Sequence, residues 1–172
     1  MNAVSTPTWP ERCAERFTHY AVGERRFFAI GFRNDAGGWE LRSPQFKGSS
    51  APKSITTFDR HGDTALLFEG FFDLLSYLTL QHEATPTADT AVLNSVVTLP
   101  RALPFLARHA TILAFLDNDE AGRLTLERLR SALPGATVID RAESYHAHKD
   151  LNESLRSSAK ISRTPRRRGR KL

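Results

Sequence analysis

Cysteine is almost absent from this chain, since Cys13 is the only one among 172 residues. A single cysteine excludes an internal disulfide framework and a cysteine-based zinc finger within the chain. It suits a reducing compartment, and we expect a cytoplasmic protein. No apolar run approaches the roughly 18 residues that a membrane-spanning helix needs. Residues 1–10 also lack the basic start and apolar stretch of a signal peptide, so the sequence predicts no membrane association.

Acidic residues are missing from the end of the chain. Residues 160–172 contain seven lysines and arginines and no acid, whereas the remainder carries 17 basic and 19 acidic residues. The net charge of +5 is therefore a property of this tail. A basic segment attracts nucleic-acid phosphates without reading their sequence, although a solvated end without a ligand has the same composition. We predict a basic, disordered tail over residues 157–172, with Arg166, Arg167 and Arg168 as nucleic-acid contacts.

The first third of the chain is patterned only in part. Residues 1–26 carry little periodicity and are interpreted as an arm or linker. Phe27, Phe28, Ile30 and Phe32 predict a strand, residues 34–38 (Asn-Asp-Ala-Gly-Gly) predict a turn, and residues 39–42 predict the returning strand. The polar residues 43–62 are interpreted as a connector. Residues 27–62 are thus predicted to form a β-hairpin followed by a connector.

Alternating strand and helix patterns occupy residues 63–156. Strands that alternate with helices imply a mostly parallel sheet with right-handed crossovers. The sequence therefore predicts an α/β domain of about four mostly parallel strands with flanking helices. The predicted strands are residues 64–68, 90–98, 111–116 and 136–139, and the predicted helices are residues 71–83, 100–109, 118–133 and 150–156.

Acidic residues follow two of these apolar strands directly. Glu69 comes after residues 64–68, and Asp117 and Asp119 come after residues 111–116. Parallel sheets place their chemistry at the carboxyl ends of strands, and carboxylates are ligands for hard cations such as Mg²⁺. Asp117 could instead cap the following helix with Glu120, and Asp73 could complement a helix dipole as readily as bind metal. Glu69 is harder to explain structurally, because an acid at a buried strand end needs a partner, and it is also a candidate general acid or base.

A third motif, residues 148–153 (His-Lys-Asp-Leu-Asn-Glu), follows the fourth predicted strand. Lys149 could bind a phosphate or neutralise the nearby acids. Asp150 is a second-rank metal candidate, and its structural alternative is helix capping with Glu153. The acids alone favour a Mg²⁺ site only as one possibility among these.

The three motifs together resemble the Toprim domain. They are Glu-Gly-Phe-Phe-Asp at residues 69–73, Leu-Asp-Asn-Asp-Glu-Ala-Gly-Arg at residues 116–123, and Lys-Asp-Leu-Asn-Glu at residues 149–153. Bacterial-type primases, type IA and II topoisomerases, small ribonucleases and OLD-family nucleases share this domain. The aromatic residues 71–72 and the Asp-x-Asp-x-Ala-Gly-Arg form look most like the primase branch. The hairpin and residues 46–50 are similar to primase-like proteins of Bacteroidetes mobile elements.

The resemblance implies a Rossmann-like Toprim fold that binds Mg²⁺ or Mn²⁺. Glu69 would be the acid/base or a metal ligand, Asp117 and Asp119 metal ligands, and Asp73 and Asp150 further candidate ligands. Lys149 matches a motif near the primase active centre. The implied activity is metal-dependent RNA primer synthesis from nucleoside triphosphates on single-stranded DNA, in replication or plasmid mobilisation. Lys47 and Arg123 are further candidate nucleic-acid contacts, although Arg123 also suits a supporting structural role.

The chain departs from full primases in two respects. It has too few cysteines for their zinc-binding domain, and the basic subdomain before Toprim is reduced to the hairpin and connector. We therefore expect a fragment, a truncated product or a minimal Toprim protein. A helicase, a relaxase or a separate zinc-binding primase segment is a candidate partner. A Toprim-type metal-dependent nuclease and a non-catalytic nucleic-acid-binding module remain the alternative functions, whereas a topoisomerase lacks its tyrosine-bearing domain here.

Overall fold

The computed structural model describes residues 15–22, 25–43 and 46–163, which form two β-sheets and four α-helices. The first sheet is antiparallel, and its strands follow one another in chain order. Its members are β1 (Glu15–Val22), β2 (Arg25–Arg33), β3 (Trp39–Ser43) and β4 (Phe46–Ser50).

The second sheet has five strands in the order β5-β7-β6-β8-β9. Strand β5 is antiparallel to β7, and every other pairing is parallel. The strands are β5 (Thr56–Phe58), β6 (Thr64–Phe68), β7 (Asp89–Val92), β8 (Thr111–Phe115) and β9 (Thr137–Asp140). The helices are α1 (Phe71–Gln81), α2 (Leu99–Leu106), α3 (Glu120–Ala132) and α4 (Leu151–Arg163). None of the helices in the described part of the chain is long and apolar enough to cross a bilayer.

The central strands β6 and β8 bury both of their faces. Successive side chains of a strand point to opposite faces, so Ala65 and Leu67 of β6 pack in one core, and Leu66 and Phe68 pack in the other. Helices α2 and α3 cover the first face through their leucines and Ala102. Helix α1 and the start of α4 cover the second face. Burial of both faces explains why the sequences of the two strands are almost continuously apolar.

The first sheet joins the second core through aromatic packing. Phe32 of β2 is buried and stacks on Phe71 of α1, with the ring centroids 5.0 Å apart. The Thr56 hydroxyl of β5 donates to the main-chain oxygen of Arg33 at 3.0 Å. The hairpin turn is closed by Asn34, whose Oδ1 accepts from the Gly38 N–H at 2.9 Å. The predicted hairpin is therefore confirmed as β2 and β3, and it lies directly against the start of α1.

The predicted α/β fold with a mostly parallel sheet is confirmed, but several boundaries differ. The arm expected over residues 1–26 contains β1 and the start of β2, and residues 1–14 lie outside the described part. The expected connector contains β4 and β5. These strands are short or lack an apolar pattern, and main-chain pairing with a neighbouring strand determines them.

Two further boundaries were wrong. The strand predicted over residues 90–98 ends at Val92, because Asn94 adopts a left-handed conformation with φ of 63° and the Thr98 hydroxyl donates to the Leu93 oxygen at 2.5 Å. Residues 157–163 were predicted as part of the tail, but they belong to α4, which continues to Arg163. Residues 164–172 lie outside the described part.

Candidate active site

The carboxyl ends of β6 and β8 bring the acidic motifs together. The two strands are parallel neighbours, with Phe68 opposite Phe115. The Glu69 N–H donates to the Phe115 oxygen at 3.2 Å, and Glu69 Oε2 accepts from the Asp117 N–H at 3.2 Å. Residues 48 positions apart in the chain thus meet at one edge of the sheet. The juxtaposition follows from the parallel pairing, because both strands end at the same edge.

Burial makes Glu69 a weaker acid than an exposed glutamate. The pKa of Glu69 is raised to about 7, mainly because the side chain is removed from water and, to a smaller extent, because of the negative charge of Asp117. The hydrogen bond from the Asp117 N–H and the charge of Lys149 oppose this shift without cancelling it. A carboxyl group with such a pKa can exchange a proton near neutral pH.

The ammonium group of Lys149 lies close to both Asp117 and Asp119. The Lys149 Nζ lies 3.1 Å from Asp117 Oδ2 and 3.5 Å from Asp119 Oδ2. Burial raises the pKa of Asp117, although the hydrogen bond from Lys149 counteracts it. The hydrogen bond from the Gly122 N–H lowers the pKa of Asp119. The two aspartates therefore differ in environment although one residue separates them.

Asp119, not Asp117, caps helix α3. Its Oδ1 accepts from the Gly122 N–H at 3.0 Å, which is the usual bond of an N-cap side chain. The capping role considered for Asp117 is wrong because the helix begins at Glu120, so that Asp117 lies two residues before the cap. Asp117 is left to interact with Glu69 and Lys149.

Asn118 and Tyr145 fix the loop that carries Lys149, and sequence reasoning missed both. The Asn118 Nδ2 donates to the oxygens of His148 and Tyr145 at 2.9 and 3.1 Å, and its N–H donates to the Lys149 oxygen at 2.7 Å. The buried Tyr145 hydroxyl donates to the Leu116 oxygen at 2.8 Å. An asparagine between two aspartates could have suggested a turn, but its partners are main-chain oxygens of a distant loop. No local pattern indicates them.

Asp73 of α1 and Asp150 both accept hydrogen bonds from main-chain N–H groups at the start of α4. Asp73 Oδ1 accepts from the Asn152 N–H at 3.2 Å, and Asp150 Oδ1 accepts from the Glu153 N–H at 2.6 Å. Burial, followed by the charge of Asp150, raises the pKa of Asp73 to about 7. Asp150 thus makes the capping bond that the sequence suggested as its structural role. Both acids face the same helix end, next to the acids of the strand edge.

The predicted nucleic-acid contacts do not lie together as the acidic residues do. Lys47 lies exposed in β4, opposite Arg42 of β3, and Arg123 is exposed in the first turn of α3. Arg166, Arg167 and Arg168 lie outside the described residues. Arg42 was not singled out from the sequence, yet its guanidinium lies over the ring of Phe71, 5.7 Å from the centroid. It therefore places a positive charge beside the segment that follows Glu69.

The donor set fits a hard divalent cation by its chemistry. Within residues 15–22, 25–43 and 46–163, no three His, Cys, Asp or Glu side chains form a ready-made metal site. The acids at this edge nevertheless offer only oxygen ligands, and burial, with their mutual repulsion as a smaller cause, raises the pKa of Glu69 and of Asp73. Among the described ion pairs, those of Lys149 are the ones that reach this group. Excess negative charge with oxygen donors is what Mg²⁺ and Mn²⁺ bind.

Sequence families match two parts of the chain. A family described as Toprim-like matches residues 66–155, which is more than half of the chain. A domain family of unknown function (DUF8464) matches residues 11–51, which include the hairpin. No curated protein matches the sequence.

Solved structures of primases share the fold. The primase fragment of the bacteriophage T7 primase-helicase is 21% identical with a TM-score of 0.61, covering 76% of this chain and 59% of the fragment. A chain from the T7 lagging-strand DNA polymerase interacting with primase domains of two gp4 subunits bound to an RNA/DNA hybrid and dTTP is also 21% identical. Its TM-score is 0.60, and the match covers 81% of this chain and 76% of that one. The chain thus spans less than two thirds of the T7 primase fragment.

Proposed function

Because the chain belongs to the Toprim-like family, we propose that it is a primase-like protein that joins nucleotides on a single-stranded DNA template. One observation carries the proposal: Glu69, Asp117 and Asp119 converge at the carboxyl edge of adjacent parallel strands. The fold shared with the T7 primase fragment supports the primase branch over other Toprim activities. In this proposal residues 63–156 form the catalytic domain, and residues 27–62 flank it.

Glu69, Asp117 and Asp119 would hold Mg²⁺ or Mn²⁺, with Asp73 and Asp150 as further candidate ligands. A bound divalent cation neutralises phosphate charge and orients the attacking hydroxyl. The chain's own contribution is to hold the carboxylates in place, because the Asp117 N–H anchors Glu69, and Asn118 anchors the loop of Lys149. The proposed metal-binding role of these residues therefore depends on hydrogen bonds that position the strand ends and the loop of Lys149.

Glu69 suits proton transfer from the attacking hydroxyl. Its pKa of about 7 allows the carboxylate to take up a proton near neutral pH. Oε2 is engaged by the Asp117 N–H, so we assign the proton to Oε1. In this scheme Glu69 acts as the general base, which is the alternative to its role as a metal ligand.

Template and nucleotides are proposed to contact the basic residues. Lys47, Arg123, Arg166, Arg167 and Arg168 are the candidate contacts for single-stranded DNA, and Lys149 is the candidate contact for nucleoside triphosphate. The RNA/DNA hybrid and dTTP in the structure of the T7 primase domains support this class of ligand. A helicase, a relaxase or a zinc-binding primase segment is the proposed kind of partner.

A primer-synthesis assay tests the proposal. Labelled nucleoside triphosphates, a single-stranded DNA template and Mg²⁺ are expected to give short RNA products with the parent chain. Glu69→Gln and Asp117→Asn are expected to lower the rate at least about 100-fold. Glu127→Gln removes an exposed acid of α3 outside the site, so this control is expected to retain the parent rate.

Three outcomes contradict the proposal. Metal-dependent cleavage of DNA or RNA without nucleotide incorporation would assign a nuclease. Salt-sensitive binding that survives Asp117→Asn and is lost without residues 160–172, in a parent chain that incorporates no nucleotide, would assign a non-catalytic binding module. An absence of Mg²⁺-dependent product, with Asp117→Asn equal to the parent, would refute primer synthesis by this chain.

A further inference from the structure

Lys149 occupies the space between the two aspartates. Its Nζ lies 3.1 Å from Asp117 Oδ2 and 3.5 Å from Asp119 Oδ2, so one ammonium group bridges both carboxylates. The same two carboxylate groups are the proposed ligands of a divalent cation. An ammonium group and a metal ion cannot both contact these oxygens without strong repulsion between the two positive charges.

The main chain of Lys149 is held independently of its side chain. Its N–H donates to Glu153 Oε2 at 2.8 Å, and its carbonyl oxygen accepts from the Asn118 N–H at 2.7 Å. The side chain itself is 59% exposed and ends a flexible four-carbon stem. The ammonium group can therefore leave the carboxylates while the loop and the start of α4 stay in place.

We propose that Lys149 is an internal counter-ion that competes with the divalent cation for Asp117 and Asp119 and thereby sets the affinity of the site for metal. This inference rests on the proposed function, because it takes these aspartates as metal ligands. Without metal, the ammonium group offsets the repulsion among Asp117, Asp119 and Glu69. Metal binding displaces it into solvent, where it is available to a phosphate group.

Calorimetric titration with Mn²⁺ alone, without nucleotide or DNA, tests the competition. Lys149→Met keeps the length of the side chain and removes its charge. We expect it to tighten Mn²⁺ binding about fivefold, since an exposed ion pair no longer has to be broken. Lys149→Arg keeps a competing cation and is expected to bind Mn²⁺ no more tightly than the parent.

Arg128→Met is the matched control. It removes one positive charge from an exposed position of α3, so it reproduces the change in net charge without touching the carboxylates. We expect its Mn²⁺ affinity to equal that of the parent. If Lys149→Met binds Mn²⁺ no more tightly than Arg128→Met does, the proposed competition is wrong.

Thermal unfolding gives a second readout that does not depend on catalysis. In EDTA, Lys149→Met is expected to unfold at a lower temperature than the parent. Mn²⁺ is expected to raise the unfolding temperature of Lys149→Met by more than it raises that of the parent. Equal Mn²⁺-induced shifts in the two proteins would overturn the inference. A parent chain that binds no Mn²⁺ would overturn both the inference and the proposed metal-dependent function. Tighter Mn²⁺ binding by Lys149→Met, together with no primer synthesis by the parent chain, would support the inference and refute the proposed activity alone.

Discussion

At the scale of single residues, the position of Asp117 depends on a glycine five residues later. Gly122 lies in the first turn of α3, and a Cβ atom at this position would collide with the main-chain oxygen of Asp117. The same residue donates its N–H to the capping carboxylate of Asp119. The absence of a side chain at Gly122 therefore lets the strand end and the helix start approach each other closely enough to form the site.

Gly122→Ala is expected to displace Asp117 and destabilise the fold. Overpacking of this kind costs about 2 kcal/mol, and we expect a loss of this size in the free energy of unfolding. Urea unfolding followed by circular dichroism measures it, and calorimetry with Mn²⁺ tests whether the affinity of the proposed metal site falls as well. Gly135→Ala is the control, because a Cβ there meets no atom within 4 Å. Equal unfolding curves for the two variants would contradict the close approach.

At the scale of elements, a buried acid connects several segments at the amino ends of the parallel strands, opposite the edge that carries the site. Asp89 opens β7 and is fully buried, with Oδ1 and Oδ2 accepting from the N–H groups of Arg60 and Gly62 at 2.6 Å each. His109 Nε2 lies 3.2 Å from Oδ2. Burial alone would raise the pKa of Asp89, but these hydrogen bonds outweigh it and lower the pKa to about 2. One carboxylate thus ties the connection between β5 and β6 to β7 and to the segment before β8.

Asp89→Asn is expected to lower the free energy of unfolding by about 3 kcal/mol, because an amide cannot accept on both sides and leaves a buried donor unpaired. Urea unfolding at neutral pH measures this change. Asp63→Asn, an exposed acid of the same connection, is expected to shift stability by less than about 0.5 kcal/mol. Because the pKa of Asp89 is lowered, its contribution is present above about pH 4 and is lost as pH falls toward 2. A stability of Asp89→Asn equal to that of Asp63→Asn would refute this role.

At the scale of the whole molecule, the two edges of the sheet respond to pH in opposite directions. The carboxyl edge carries Glu69 and Asp73, whose pKa values are raised to about 7. Between their ordinary values, near 4, and 7, the folded chain binds more protons than the unfolded chain does. Stability from these groups therefore falls as pH rises through this window in the absence of metal. The geometry that serves the proposed chemistry thus costs folding stability.

As pH rises from about 4 to about 7, we expect the unfolding temperature of the metal-free parent to fall relative to that of the double variant Glu69→Gln with Asp73→Asn. The comparison removes the contributions of all other titratable groups, because both proteins contain the same ones. Differential scanning calorimetry in EDTA at several pH values measures the difference. A difference that stays constant or rises with pH would contradict the raised pKa values.

The α/β fold and the acidic edge could be predicted from the sequence because both depend on local patterns. The apolar runs before Glu69 and Asp117 define β6 and β8 within one residue of their predicted ends, and parallel pairing then brings the acids to one edge. The leucine spacing similarly indicated α1 and α3. In these segments local propensity and burial agree, so the order of residues suffices.

Tertiary structure decided the remainder. Strands β1, β4 and β5 form through main-chain pairing with neighbours that no local pattern identifies. The cap of α3 is Asp119 because the chain after β8 follows a path in which the helix begins two residues later than predicted, at Glu120. The bridge from Lys149 to both aspartates depends on a loop held by Asn118, some thirty positions away in the chain. The sequence by itself determined which acids reach the edge of the sheet, whereas the folded loop decided which cation they meet there, because hydrogen bonds to main-chain oxygens leave no signature in residue type.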